Sequence, residues 1–76
     1  MDRMRLRKHL DDAHRHIAEG EAHIERQREL IRTLERDGHD TTQAQSLLEQ
    51  FEYLLRFHRE DRDRISRELF STENSN

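Results

Sequence analysis

Asp37-Gly38-His39-Asp40-Thr41-Thr42 is the one interruption in a chain of 76 residues that otherwise runs for long stretches on either side without a helix breaker. There is no proline, and the only other glycine is Gly20. Gly38 can take the left-handed conformation that ends a helix. Asp40 or Thr42 can cap the next helix, each with a glutamine three residues on (Gln43, Gln45) in capping-box position. So short a link folds two helices back antiparallel. The reading is a single helical hairpin over residues 1–70, with a first helix at about 3–37, a turn at 38–41 built on Gly38, Asp40 and Thr42, and a second helix at about 42–70. Residues 71–76, small and polar throughout, read as a disordered tail.

Outward from the turn, both arms carry a heptad seam. Leu6, Leu10, Ala13, Ile17, Gly20, Ile24, Gln27, Ile31 and Leu34 recur at alternating spacings of four and three. Ala44, Leu48, Phe51, Leu55, His58, Arg62, Ile65 and Leu69 follow the same rule. The fold class is therefore all-α, a coiled-coil-like antiparallel pair. Pairing the seams around the turn sets Ile31 against Leu48, Gln27 against Phe51, Ile24 against Leu55, Gly20 against His58, Ile17 against Arg62 and Leu10 against Leu69. On this pairing the half near the turn is rich in apolar groups. The open half, with Ala13 and Arg62, is expected either to be looser or to have Arg62 reach out along its own stem with its head in water.

The composition limits what such a hairpin can do alone. It is 41% charged and 30% hydrophobic, with no cysteine and no tryptophan. Below about 80 residues a lone core seldom supplies more than about 3–5 kcal/mol, and disulfides, a metal or a second chain usually add the rest. Disulfides are excluded here. The second helix also carries more apolar surface than one neighbour covers, because Leu47, Leu54 and Phe57 widen its stripe, with Tyr53 on the outer edge, and Leu30 does the same for the first helix. Leu30, Leu47, Tyr53, Leu54 and Phe57 are thus the candidate interface, and the expectation is a homodimer forming an antiparallel four-helix bundle. Another helical protein is the second candidate partner.

The stretch Arg26-Gln27-Arg28-Glu29-Leu30-Ile31-Arg32-Thr33-Leu34-Glu35-Arg36-Asp37-Gly38-His39-Asp40-Thr41, with the later His58-Arg59-Glu60-Asp61-Arg62, resembles short uncharacterised helical-hairpin proteins of alphaproteobacteria. The likeness spans residues 17–65, about two thirds of the chain. It implies a hairpin of bacterial cytosolic origin and carries no site.

Six histidines stand out, three of which, His9, His16 and His23, fall seven apart in a lane beside the first seam. Seven residues separate side chains by about 10 Å along a helix, too far for one ion. A metal site would have to draw on His58 or a second chain, so His16, His23, His58 and Asp61 are the only candidates. The expected reading is boundary histidines with no metal and no cofactor. Neither an inward Glu-x-x-His arrangement, nor a nucleophile with a base, nor a phosphate loop can be found, so no enzyme is expected. The net charge of −3 gives no field for nucleic acid, and the basic cluster Arg3, Arg5, Arg7, Lys8 is diluted by Asp2, Asp11 and Asp12. RNA binding through that cluster is the alternative to a non-catalytic interaction or scaffolding module. No apolar run suits a membrane helix or a signal peptide, which leaves a cytoplasmic protein as the expectation.

Overall fold

Asp2 starts the first helix. Its backbone is extended (φ −75°, ψ 162°), and its carboxylate accepts the Arg5 backbone N–H at 2.9 Å, satisfying one of the donors a helix start leaves unpaired. In the computed structural model, which describes residues 2–73, α1 runs from Arg3 to Arg36 and α2 from Thr42 to Glu73. The two lie side by side in a rod 62 Å long and 14 Å across. Neither helix is long and apolar enough to cross a membrane.

The link is closed by backbone bonds. Gly38, at φ 76°, is the only described residue with positive φ. Its N–H donates to the Glu35 carbonyl at 3.1 Å, and the His39 N–H donates to the Leu34 carbonyl at 2.8 Å. These are the two bonds of a Schellman motif, with Gly38 at the left-handed position just past the helix and His39 after it. The restart differs in detail from the expected capping. The Thr41 carbonyl accepts the Gln45 N–H at 2.8 Å, so Thr41 is the cap and Thr42 the first helical residue. Asp40 acts from one position further out, accepting the Thr42 hydroxyl at 2.7 Å and its N–H at 3.0 Å.

The far end of α2 also corrects the sequence reading. Residues 71–73 are helical and not part of a tail, because nothing after Phe70 breaks a helix and the Thr72 hydroxyl donates back to the Glu68 carbonyl at 2.9 Å. Residues 74–76 of the expected tail lie outside the described residues.

Every seam position of both helices is buried or half-buried, as the heptads require. The core falls into two clusters. Nearer the turn, Ile17, Ile24 and Leu55 are joined by Leu48 and Phe51. At the open end Leu6, Ala13, Ile65 and Leu69 are joined by Leu10. The open half is therefore not loose. Leu6, 2% exposed, is the most enclosed side chain of the core.

One expected pairing shifts and a second gains a further partner. A Cβ on Gly20 would meet Leu55 Cδ1 at 3.3 Å, so the space left by the missing side chain is filled by Leu55, while the His58 ring lies against His16. Gln27, 7% exposed, does not face Phe51 alone: its amide donates to the Ala44 carbonyl at 2.9 Å. Phe51 also stacks with His23, centroids 5.7 Å apart. Side chains lean toward the start of their own helix, which displaces each contact from its backbone level.

Two predictions follow from the link. Gly38→Val forces a branched residue into positive φ at a cost of about 1–3 kcal/mol, and the melting temperature followed by circular dichroism should fall accordingly. An unchanged melt would remove the Schellman motif from the account. The second concerns Asp40, whose carboxyl is held below its ordinary value of 3.8 first by the Thr42 hydroxyl and then by the Thr42 N–H. A depressed folded value means that its contribution is fully present above pH 3.8 and is lost as pH falls through the lower folded value. Asp40→Asn should therefore flatten the acid limb of stability against pH below that point and leave its slope near neutrality unchanged.

Candidate functional site

The two long sides of the rod differ in chemistry. On one side the groove between the helices has the apolar floor of Ile24 and Leu55 under a charged rim of Glu21, Glu25, Arg28, Glu52, Arg56 and Arg59. Arg59 reaches across from α2 to Glu21 on α1 at 4.0 Å, both half-exposed. Charges of both signs alternate there, in keeping with a solvated face.

On the other side lies the face the seams leave uncovered. All five expected interface residues are exposed: Leu30 46%, Leu47 39%, Tyr53 64%, Leu54 49% and Phe57 55%. Leu54 and Tyr53 line one shallow depression of α2, and the Arg56 guanidinium stands 6.0 Å from the centre of the Tyr53 ring. Phe57 meets His58 edge to face at 5.7 Å. Sequence reasoning missed two further exposed apolar side chains, Met4 and Phe70. Phe70, the last residue of the expected second helix, lies outside the stripe that widens its seam. Met4 lies outside the seam spacing, next to charged neighbours.

Beside this face, His16, Gly20, His23, Phe51, Leu54 and His58 line a hollow of about 270 Å³, together with Glu19 and Leu55. That volume is below the ~300–1,000 Å³ of an ordinary small-molecule site. Of the four metal candidates three border this hollow, and two of those are in ring contact with each other. The His16 and His58 rings face each other from opposite helices with centroids 5.0 Å apart and planes inclined at 38°. His23 is turned elsewhere, stacked on Phe51, and its Nδ1 lies 2.7 Å from Arg26 Nη2, from which it can only accept, since a guanidinium has no acceptor. Asp61 is taken by Arg64, whose guanidinium is raised above its ordinary value by that hydrogen bond, with Glu68 at 3.1 Å adding to it. Among the described residues no three of His, Cys, Asp or Glu are grouped so as to hold a metal ion.

The basic start of α1 is partly committed to the helix itself. Arg5 Nε lies 3.6 Å from the carboxylate of Asp2, the residue that caps the helix. A field for nucleic acid is weakened where a cation sits against its own carboxylate. No family model, no curated protein and no solved structure matches the chain.

Proposed function

We propose that the chain is a non-catalytic interaction or scaffolding module that acts as a homodimer, two hairpins joined through the Leu30, Leu47, Leu54 and Phe57 face into an antiparallel four-helix bundle. The observation that carries this reading is the surface left over. The chain exposes 5986 Å², whereas a compact folded chain of 9.3 kDa exposes about 5,000 Å². Its radius of gyration is 17.3 Å against about 11 Å for a compact chain of this length. The excess of about 1,000 Å² is close to the ~800 Å² that each partner of a standard interface buries.

A second copy fits that face better than a charged partner does. The exposed lane is apolar and aromatic, bordered by histidines and not by a block of one sign of charge, and a lane of this kind is its own complement under a two-fold axis. The near-balance of 14 basic and 17 acidic residues leaves little long-range repulsion between copies. A cytoplasmic setting accords with a chain that has no cysteine to oxidise.

Sedimentation equilibrium at tens of micromolar should return twice the 9.3 kDa chain mass. Leu54→Ala and Phe57→Ala, both outside the intrachain core, should leave the hairpin helical. Each should weaken the dimer by about 2–4 kcal/mol, roughly a 30- to 1,000-fold rise in dissociation constant. A monomeric wild type would reject the bundle, and an unaltered dissociation constant in both variants would place the contact on another face. RNA binding that collapses steeply with salt and with loss of Arg3, Arg5 and Lys8 would replace the reading by the nucleic-acid alternative.

A further inference from the structure

His58 is the only histidine of α2, and the fold lays it across the seam from His16 of α1. We propose that this pair is a two-histidine clip for a borderline divalent transition-metal ion, of the zinc, nickel or copper class, held within one chain. The proposal is independent of self-association, because both ligands belong to the same hairpin.

The separation of the two rings suits two ligands of one ion. An imidazole nitrogen sits about 2.0–2.1 Å from zinc, and with a tetrahedral angle at the metal two such rings have their centres about 5 Å apart. The His16 and His58 centroids are 5.0 Å apart, the separation that one ion held between the two rings would require. Histidines within α1 cannot do this, since His16 and His23 lie about 10 Å apart along the helix. The second ligand has to come from the other helix, and only the antiparallel fold supplies it.

The surroundings suit the ion. Imidazole selects this class of metal over magnesium or calcium, which prefer oxygen. The hollow that holds the pair has room for an ion with its water and is walled by Phe51, Leu54 and Leu55, a low-dielectric lining on one side. Glu19, one helical turn after His16, lines the same hollow. Its carboxylate is engaged only by an exposed, loose contact with Arg15 at 3.8 Å, which costs little to give up. Glu19 is nevertheless not grouped with the two rings as a third ligand, so the clip is a two-ligand site completed by water. Asp61, the other neighbouring carboxylate, stays with Arg64.

The place of the clip gives it an effect. His16 adjoins Ile17 of the turn-side cluster, and His58 lies between Leu55 of that cluster and Ile65 of the open-end cluster. An ion there ties α1 to α2 where the two clusters meet and where seam positions are occupied by Gly20 and Arg62. It is the kind of staple that small domains without disulfides use.

The test is a thermal melt of the whole chain with zinc chloride at stoichiometric and tenfold excess, with magnesium chloride as control, joined to NMR of the histidine rings and a measured stoichiometry. The expected result is one zinc per chain, perturbation of the His16 and His58 ring signals, and a rise in melting temperature of about 4 °C or more. That rise should be lost in His16→Ala, an exposed position whose truncation leaves the core untouched, and in His58→Ala, but kept in His14→Ala and His23→Ala. No rise with zinc, an equal rise with magnesium, or a rise that survives in His16→Ala would overturn the clip.

Discussion

Two helices can cover only one stripe of each other, and the whole molecule follows from that constraint. Each helix has a single neighbour, so burial is confined to the seam, and the core becomes a line of side chains from Leu6 and Leu69 at the open end to Ile31 and Leu48 near the turn. A line of this kind buries few side chains fully. Eight apolar residues and Gln27 are all that drop below the surface of the described chain. Everything the helices carry beside the seam stays outside, which is why leucines and a phenylalanine that would be core in a bundle remain about half-exposed here.

Within the seam, the polar and small members set which contacts are made. A seam of leucine and isoleucine alone would accept several registers, each burying a similar area. Gln27 removes that freedom: its buried amide requires an acceptor, and the Ala44 carbonyl meets it in this register only. Gly20 acts by absence, since Leu55 packs into the space at a distance that any side chain on residue 20 would contest. Arg62 occupies its seam position along its stem, with Nε donating to Asp63 at 3.0 Å, so that the charged head remains hydrated. Polar contacts of this sort contribute modest energy and considerable specificity.

The sequence carries the hairpin, both seams and the turn glycine openly, because heptad spacing and a positive-φ position are local properties of the chain. What it does not carry is the axial offset between the helices. That offset depends on how side chains lean and interlock across the interface, and one turn of error moves every cross-helix pair. Hence Gly20 and His58 share a level in the sequence pattern, yet Leu55 fills the glycine space and His58 meets His16. The continuation of α2 through Thr72 is similar: a polar end reads as a tail, but without a breaker a helix continues while its hydroxyls find carbonyls. The exposed face was legible from the breadth of the stripe, and the histidine pair only in outline, as residues that needed a second helix between them.

The unequal sides of the rod also bear on how far assembly would extend. A hairpin with apolar lanes on both sides would stack without limit, since each copy would present a free face to the next. Here the side opposite Leu54 is rimmed by Glu21, Glu25, Arg28, Glu52, Arg56 and Arg59, and burying six charges to reach Ile24 and Leu55 beneath them would cost more desolvation than the small apolar floor could return. The Leu30, Leu47, Leu54 and Phe57 side is the one that would open to a helical neighbour at low cost along the turn half of the rod, Met4 and Phe70 being exposed at the other end. In the proposed dimer that face, related to itself by a two-fold axis, would be used up by one partner, and the charged groove would then oppose the addition of further copies from the other side.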